Sequence, residues 1–378
     1  MRLAVDAANL LHDRRGIGRY ARALLRDFYR RPDDEVQVTL LVPHAWPRLV
    51  RARLSKALGG MPVVLHRRRD VTQLHPDLVW YPWNGMTWVT PFPSVATVHD
   101  VWPFAAPAED LRKRRNEQLP FRTTAARAAA IITDSAFSRA EIVKHLDVRP
   151  ELVRVVHLGT ESAFPREDKR SKLQAPLLLD GASRYVLFVG ESEPRKDLAT
   201  LQAAMLQLPD ALRMTTGLVI AGRPGPGLAA RGRLRATRRE GKATHVLCFE
   251  RVASVPTLVT GEVGDPMLQA LYAGASALAF PSRYEGFGLP VLEAMAHGIP
   301  VVAADAASVP EVAEDAALYF APGDAGGLAG ALARVMTDVG LAAQLRAAGI
   351  ARAAQMSWDL CADQTLRIFR EVVDKGRK

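Results

Sequence analysis

The chain of 378 residues is 48 % hydrophobic and 24 % charged. That excludes an intrinsically disordered protein and allows two domains, each with its own core. Two cysteines far apart in sequence, Cys248 and Cys361, exclude a disulfide framework and a cysteine-based zinc cluster, and they fit a reducing compartment. The net charge of +10 is uneven: residues 1–170 hold 28 Lys+Arg against 19 Asp+Glu, a net of +9, whereas residues 171–378 hold 22 against 21, a net of +1. A basic first half suits an anionic partner such as a phosphate, an anionic membrane surface or a nucleic acid, and equally suits a solvated arginine-rich surface.

The opening Met1-Arg-Leu-Ala-Val-Asp6 puts an acid after three apolar residues and does not read as a signal peptide. The longest nearly apolar run, Leu268 to Phe280, is too short to span a bilayer. A cytoplasmic protein is expected. Short apolar runs at Leu3–Ala7, Val36–Val42, Met61–Leu65, Leu78–Tyr81, Val95–His99, Ala129–Thr133 and Val153–Leu158 predict strands. Several are continuous rather than alternating, as in strands buried on both faces of a parallel sheet. Helical patterns separate them at Arg19–Tyr29, Leu111–Ala128 and Ser138–His145. The second half repeats the plan, with strands predicted at Tyr185–Val189, Gly217–Ala221, His245–Phe249, Ala277–Phe280, Val301–Ala304 and Ala317–Phe320. Its helices are predicted at Leu198–Leu208, Asp265–Ala273, Pro290–Ala296, Ala325–Met336, Leu341–Ala354 and about Trp358–Val373. Arg223–Lys242, rich in Gly and Arg, reads as a basic loop followed by helix.

Two βαβ series predict an α/β chain of two doubly wound, Rossmann-like parallel-sheet domains. The polar, breaker-containing segment Arg166–Ala182 reads as the linker. The expected domains are 1–170 and 171–355, closed by a helix over 356–378. Ligands of such sheets bind beyond the carboxyl ends of the strands, so two facing domains predict an interdomain cleft lined by strand-to-helix loops.

The richest of these loops is Phe280-Pro-Ser-Arg-Tyr-Glu-Gly-Phe-Gly-Leu-Pro-Val-Leu-Glu-Ala-Met-Ala-His-Gly298. A buried strand runs into a Gly-containing turn, and Pro290 sits where a first helical turn accepts proline. The N–H groups of Gly286, Phe287, Gly288 and Leu289 would face an anion or hydroxyl at a helix N-terminus. Glu285 and Glu293 would accept hydrogen bonds from polyols, although alone they read as a surface loop residue and an acid favoured near a helix start. Arg195 and Lys196 lie beyond another strand, at a helix start that disfavours cations unless an anion is present. Gly16 and Gly18 form a Gly-rich turn between strand and helix. The pattern suits phosphate approach, and the plainer reading is a tight turn. His99 ends a strand, Asp100 is placed to orient the loop, and Asp134 and Ser135 suit binding of acceptor or phosphate but read rather as helix caps. The nine histidines show no ligand spacing, so no metal is expected. The third glycine of a dinucleotide fingerprint is missing, which argues against hydride transfer.

Glu285-Gly-Phe-Gly-Leu-Pro-Val-Leu-Glu293 resembles the paired-glutamate motif of glycosyltransferase family 4, the retaining GT-B transferases. Phe188-Val-Gly-Glu-Ser-Glu-Pro-Arg-Lys-Asp-Leu198 resembles that family's phosphate loop, Thr97-Val-His-Asp100 its His-Asp loop, and Gly16-Ile-Gly-Arg-Tyr20 its first Gly-rich loop. Ile132-Thr-Asp-Ser-Ala-Phe-Ser138 and Ser357-Trp-Asp359 also match, so the likeness covers nearly the whole chain in order. The resemblance implies that Glu285 contacts the donor sugar and Glu293 the ribose. It implies that Arg195 and Lys196 clamp the diphosphate, that Gly16 and Gly18 lie across the cleft from it, and that His99 supports the developing charge. Glu191 stands where many members carry Arg. The resemblance further implies a GT-B fold with an N-terminal acceptor domain, a C-terminal donor domain and a closing helix that returns to the N-domain. Transfer would retain configuration by front-face attack, with no divalent ion and no cofactor besides the nucleotide sugar.

The likeness is greatest to bacterial mannosyl- and rhamnosyltransferases of surface polysaccharides. It makes GDP-mannose the first expected donor and a UDP-sugar the second. The expected acceptor is a glycan or lipid-linked oligosaccharide, with the basic Arg67-Arg-Arg69 and Arg112-Lys-Arg-Arg115 runs docking on anionic lipid at the inner face of the cell membrane. A nucleotide-sugar epimerase of the same fold, a two-carboxylate glycoside hydrolase and a non-enzymatic polyanion binder are the rival readings. The basic runs lack the interleaved aromatics of nucleic-acid binding, and no nucleic-acid partner is expected.

Overall fold

The computed structural model describes residues 1–13, 16–43, 47–106, 110–160, 182–223, 233–239, 242–252 and 255–376. The chain forms two compact units, Met1–Gly159 together with Met356–Lys378, and Thr160–Gln355. The division therefore falls before residue 170, and the expected linker lies almost wholly in 161–181, outside the described residues.

The first unit holds seven strands: β1 (Arg2–Asp6), β2 (Gln37–Val42), β3 (Val64–Arg67), β4 (Leu78–Tyr81), β5 (Ser94–Thr97), β6 (Ala130–Thr133) and β7 (Val153–Val155). All pair in parallel, in the order β3-β2-β1-β4-β5-β6-β7. β4, β5 and β6 are buried at every residue, as continuous apolar runs require. The helix Gly16–Phe28 turns Tyr20, Ala21, Leu24, Leu25 and Phe28 inward at helical spacing. The last helix, Trp358–Gly376, belongs to this unit, and its Phe369 ring lies 6.2 Å from Phe28 and 5.6 Å from Trp80.

The second unit holds β8 (Arg184–Val189), β9 (Thr216–Ala221), β10 (Arg233–Arg239), β11 (Lys242–Val252), β12 (Val255–Gly261), β13 (Ala277–Phe280), β14 (Val301–Ala304) and β15 (Ala317–Phe320). Their order is β10-β11-β12-β9-β8-β13-β14-β15. Six run parallel, while β10 and β11 extend one edge antiparallel. This hairpin corrects the helix expected before Lys242, and β12 adds a strand that was not expected. Helices Leu198–Leu206 and Ala325–Thr337 supply Leu201, Ala204, Leu328 and Leu332 to the core against Val186, Ile220 and Ala279. Asp324 and Asp338 cap helices by accepting from the amides of Gly327 and Leu341. No helix among the described residues is long and apolar enough to cross a membrane.

In the first sheet the strand order reverses at β1/β4, and in the parallel part of the second, β12-β9-β8-β13-β14-β15, it reverses at β8/β13. The carboxyl ends of such a pair bound the crevice where open α/β sheets hold ligands. The loop after β8 and the loop after β13 thus emerge side by side, and they carry Arg195, Lys196 and Glu285.

Candidate active site

The loop after β8 makes a single 3-10 turn, Pro194–Lys196. It enters the helix Leu198–Leu206 through Asp197, whose φ of 47° is left-handed. The turn aims Lys196 at the loop after β13, where its Nζ donates to Oε1 of Glu285. Arg195 Nη1 lies 3.6 Å from Glu285 Oε2, and Arg195 Nε donates to Glu193 at 2.7 Å. The side chains of Lys196 and Glu285 are only 12 % and 8 % exposed. The surface-loop reading of Glu285 is therefore corrected: its carboxylate is a buried counter-ion for two cations. Lys196 Nζ also stands 5.6 Å from the centre of the Phe280 ring.

The two loops are tied by their backbones as well. The Arg283 amide donates to the Arg195 carbonyl at 2.8 Å, and Arg283 Nε bonds Asp197 at 2.7 Å. Ser308 Oγ donates to the Glu285 carbonyl at 2.9 Å and pins the main chain beneath the carboxylate. Behind the loop, Gly222 passes so close that a Cβ on it would meet the Gly190 carbonyl at 1.9 Å. Both glycines have positive φ, 155° and 151°.

Gly286, Phe287, Gly288 and Leu289 are all buried. Gly288, at φ 97°, is the N-cap of the helix Leu289–Ala296. Pro290 has no N–H and the Val291 amide bonds the Gly288 carbonyl at 2.9 Å, so Leu289 supplies the N–H at the helix start. Glu293, in the same helix, is 3 % exposed and accepts from the Tyr272 hydroxyl at 2.9 Å. His297 stacks on Tyr272 at 5.0 Å and holds the Glu293 carbonyl through Nδ1 at 2.8 Å. Sequence reasoning missed Glu193 and Asp197, which flank Arg195 and Lys196 in the loop already singled out, and Tyr272 and Ser308, which reach the site only through folding.

In the first unit His99 follows β5, and its ring is enclosed. Nδ1 lies 2.7 Å from Asp134 Oδ2 and Nε2 lies 3.2 Å from the Pro82 carbonyl, while Tyr20 packs edge-on at 4.9 Å. Burial disfavours the charged ring, yet Asp134 and the Pro82 carbonyl outweigh it and raise the His99 pKa above its ordinary 6.5. Burial raises the Asp134 pKa as well, more than the neighbouring His99 lowers it. The Pro82 carbonyl can only accept, so Nε2 carries a proton, while Nδ1 and Asp134 Oδ2 share the second one. The reading of Asp134 as a helix cap is corrected. Ser135 is the cap, accepting from Ser138 N at 3.0 Å, and Asp134 holds His99. Asp100 orients its loop by accepting from Trp102 N at 3.0 Å.

Gly16 and Gly18 lie inside the first turn of the helix Gly16–Phe28 rather than ahead of a helix beginning at Arg19. A Cβ on Gly18 would meet the Asp13 carbonyl at 1.9 Å, so this glycine is required by close backbone approach. Nearby, at the carboxyl ends of β1 and β3, Arg68 bonds both oxygens of the buried Asp6 at 2.8 and 2.9 Å and stacks over Trp88.

Comparison with known proteins identifies the family. The family described as Glycosyltransferase Family 4 matches residues 14–164, and that described as Glycosyl transferases group 1 matches residues 169–352. The O-antigen chain mannosyltransferase B of Escherichia coli is 31 % identical over 321 residues, covering 81 % of this chain and 78 % of that protein. The serotype-specific mannosyltransferase WbdA of Escherichia coli is 26 % identical over 256 residues, 67 % of this chain but 30 % of its own length. Among solved structures, Anabaena HepE in complex with UDP and glucose superposes with a TM-score of 0.70 at 17 % identity, covering 98 % of this chain and 99 % of that one. The chain thus belongs to the group 1, family 4 glycosyltransferases, and it is a glycosyltransferase built from two parallel-sheet domains of the GT-B type.

Proposed function

We propose that the enzyme transfers mannose, with retention of configuration, from GDP-mannose to a glycan or lipid-linked oligosaccharide of a bacterial surface polysaccharide. The observation that carries this reading is the convergence of Arg195, Lys196 and Glu285 at the β8/β13 reversal point, beside the helix start after Gly288. Two cations beside a helix start suit a diphosphate. A carboxylate among them suits sugar hydroxyls, and Glu293 suits the ribose. The mannosyltransferase relatives support the choice of sugar. In this reading the leaving diphosphate takes the acceptor proton, while Arg195, Lys196 and the loop amides hold its charge.

Thermal unfolding with GDP, UDP, ADP, dTDP and their sugar conjugates tests it. A ligand bound only by the folded state raises the melting temperature by mass action, by about 2.7 kcal/mol of stability at a hundredfold excess over Kd. A selective rise with GDP and GDP-mannose is the expected result. A rise confined to UDP ligands would move the donor to a UDP-sugar, the second reading, which the UDP and glucose bound to the structurally similar HepE favour. No rise with any of them would remove the donor assignment. The anomeric configuration of the product, read by NMR, tests retention.

The acceptor's membrane setting belongs to the same proposal. The helix Leu111–Arg127 turns Phe121 and Thr124 inward and leaves Arg112, Arg115 and Arg122 exposed, with Leu111 70 % and Leu119 60 % exposed among them. Such a face suits an anionic bilayer. Co-sedimentation with phosphatidylserine-containing vesicles, lost on reversing these arginines, is expected, and unchanged sedimentation would defeat the idea.

A further inference from the structure

We infer that Glu285 competes with the donor's diphosphate for Lys196 and Arg195, and thereby sets the enzyme's preference for a sugar nucleotide over the bare nucleoside diphosphate. The inference rests on the donor reading above and deepens it.

Without ligand, the two cations that a diphosphate would need already face two carboxylates. Glu285 takes Lys196 and approaches Arg195 at 3.6 Å, and Glu193 takes Arg195 at 2.7 Å. A diphosphate reaching the clamp must replace Glu285 as partner, since an additional anion beside that carboxylate is repelled by it. The main chain at Glu285 cannot follow, because Ser308 holds its carbonyl and Arg283 is held by Arg195 and Asp197. Only the side chain can swing.

The outcome then depends on what the ligand carries. A displaced Glu285 remains largely buried, and a buried carboxylate without donors is costly. A sugar attached to the diphosphate supplies hydroxyl donors for it. A bare nucleoside diphosphate supplies none. The same carboxylate therefore weakens the product more than the donor, which favours release of the spent nucleotide once the sugar has left.

Isothermal titration of wild type, E285Q and E193Q with GDP and GDP-mannose, and in parallel with UDP and UDP-glucose, tests this. E285Q is expected to bind the nucleoside diphosphate at least fivefold more tightly than wild type. Its affinity ratio of sugar nucleotide to nucleoside diphosphate is expected to fall at least tenfold. E193Q, which removes one of the two carboxylates facing Arg195 and leaves Lys196 with Glu285, is expected to tighten the nucleoside diphosphate two- to fivefold. Unchanged or weaker nucleoside diphosphate binding in E285Q overturns the proposal, and if E285Q does not fold, unchanged binding in E193Q does so. A wild type that binds none of the four ligands removes the donor reading and this inference with it. A wild type that binds, with no gain in either variant, removes this inference alone.

Discussion

His99 and Asp134 form a buried ion pair that joins the loops after two neighbouring parallel strands, with Nδ1 2.7 Å from Oδ2. Its far side is closed by the Pro82 carbonyl, and the His99 amide donates to Asn84 at 2.6 Å, so the loop after β4 is held by the same residue. One histidine thus fixes the carboxyl edge of the first sheet across β4, β5 and β6.

Stability should depend on pH through this pair. The folded His99 keeps its proton above the 6.5 of the unfolded chain. The pair's contribution is therefore complete below that value and fades as pH rises through the higher folded one. Asp134→Asn should cost about 1–3 kcal/mol near pH 5.5, and the gap to wild type should shrink as pH is raised through the folded His99 value. Urea unfolding across that range checks this, and a gap independent of pH would refute it.

Glu285→Ala should lower transfer by about 10²–10³-fold, the scale seen when a preorganised electrostatic contact is removed. Unlike truncation of an exposed carboxylate, it should also destabilise the fold, by about 1–3 kcal/mol, because Lys196 and Arg195 lose their anion. Transfer rates and melting temperatures measured together check both parts. Wild-type transfer would remove the role of Glu285 in the reaction.

Tyr272→Phe removes the hydroxyl that orients Glu293 and nothing else from the core. It should raise the donor KM about fivefold, equivalent to about 1 kcal/mol, and leave kcat within twofold. A fall in kcat at constant KM would place Glu293 at the reacting sugar rather than at the nucleotide.

Gly222→Ala should drive the Gly190 carbonyl outward and displace the loop that carries Arg195 and Lys196. The expected loss is about 1–3 kcal/mol of stability, the range for overpacking, together with weakened nucleotide binding. Nucleotide affinity equal to wild type would show that the loop tolerates the shift.

Much of the fold is legible in sequence because its strands are buried on both faces. Leu78–Tyr81, Ala277–Phe280, Val301–Ala304 and Ala317–Phe320 begin and end where their apolar runs do. Arg233–Arg239 is not legible, since a strand of arginines has the composition of a solvated loop and is specified by its pairing with β11. The site divides in the same way. Its residue types follow from the motif, but the burial of Glu285 depends on Lys196, 89 residues away, and the state of His99 on Asp134, 35 residues away. No local pattern carries such contacts. At Gly18 the sequence pattern does not show the close approach of the Asp13 carbonyl, which by itself demands a glycine there.

The helix Trp358–Gly376 completes the first unit from the far end of the chain. Phe369 covers Phe28 and Trp80, and Arg31 and Glu35 reach Asp363 and Arg370. During synthesis the first sheet must therefore wait while about 200 further residues are made, roughly 10–40 s at ribosomal rates of about 5–20 residues per second. Over that interval Phe28 and Trp80 lack their cover, whereas the second unit can close as soon as it emerges. A premature stop near residue 356 would leave the second sheet intact and release a first domain with an open hydrophobic flank, a natural target for chaperones and proteases.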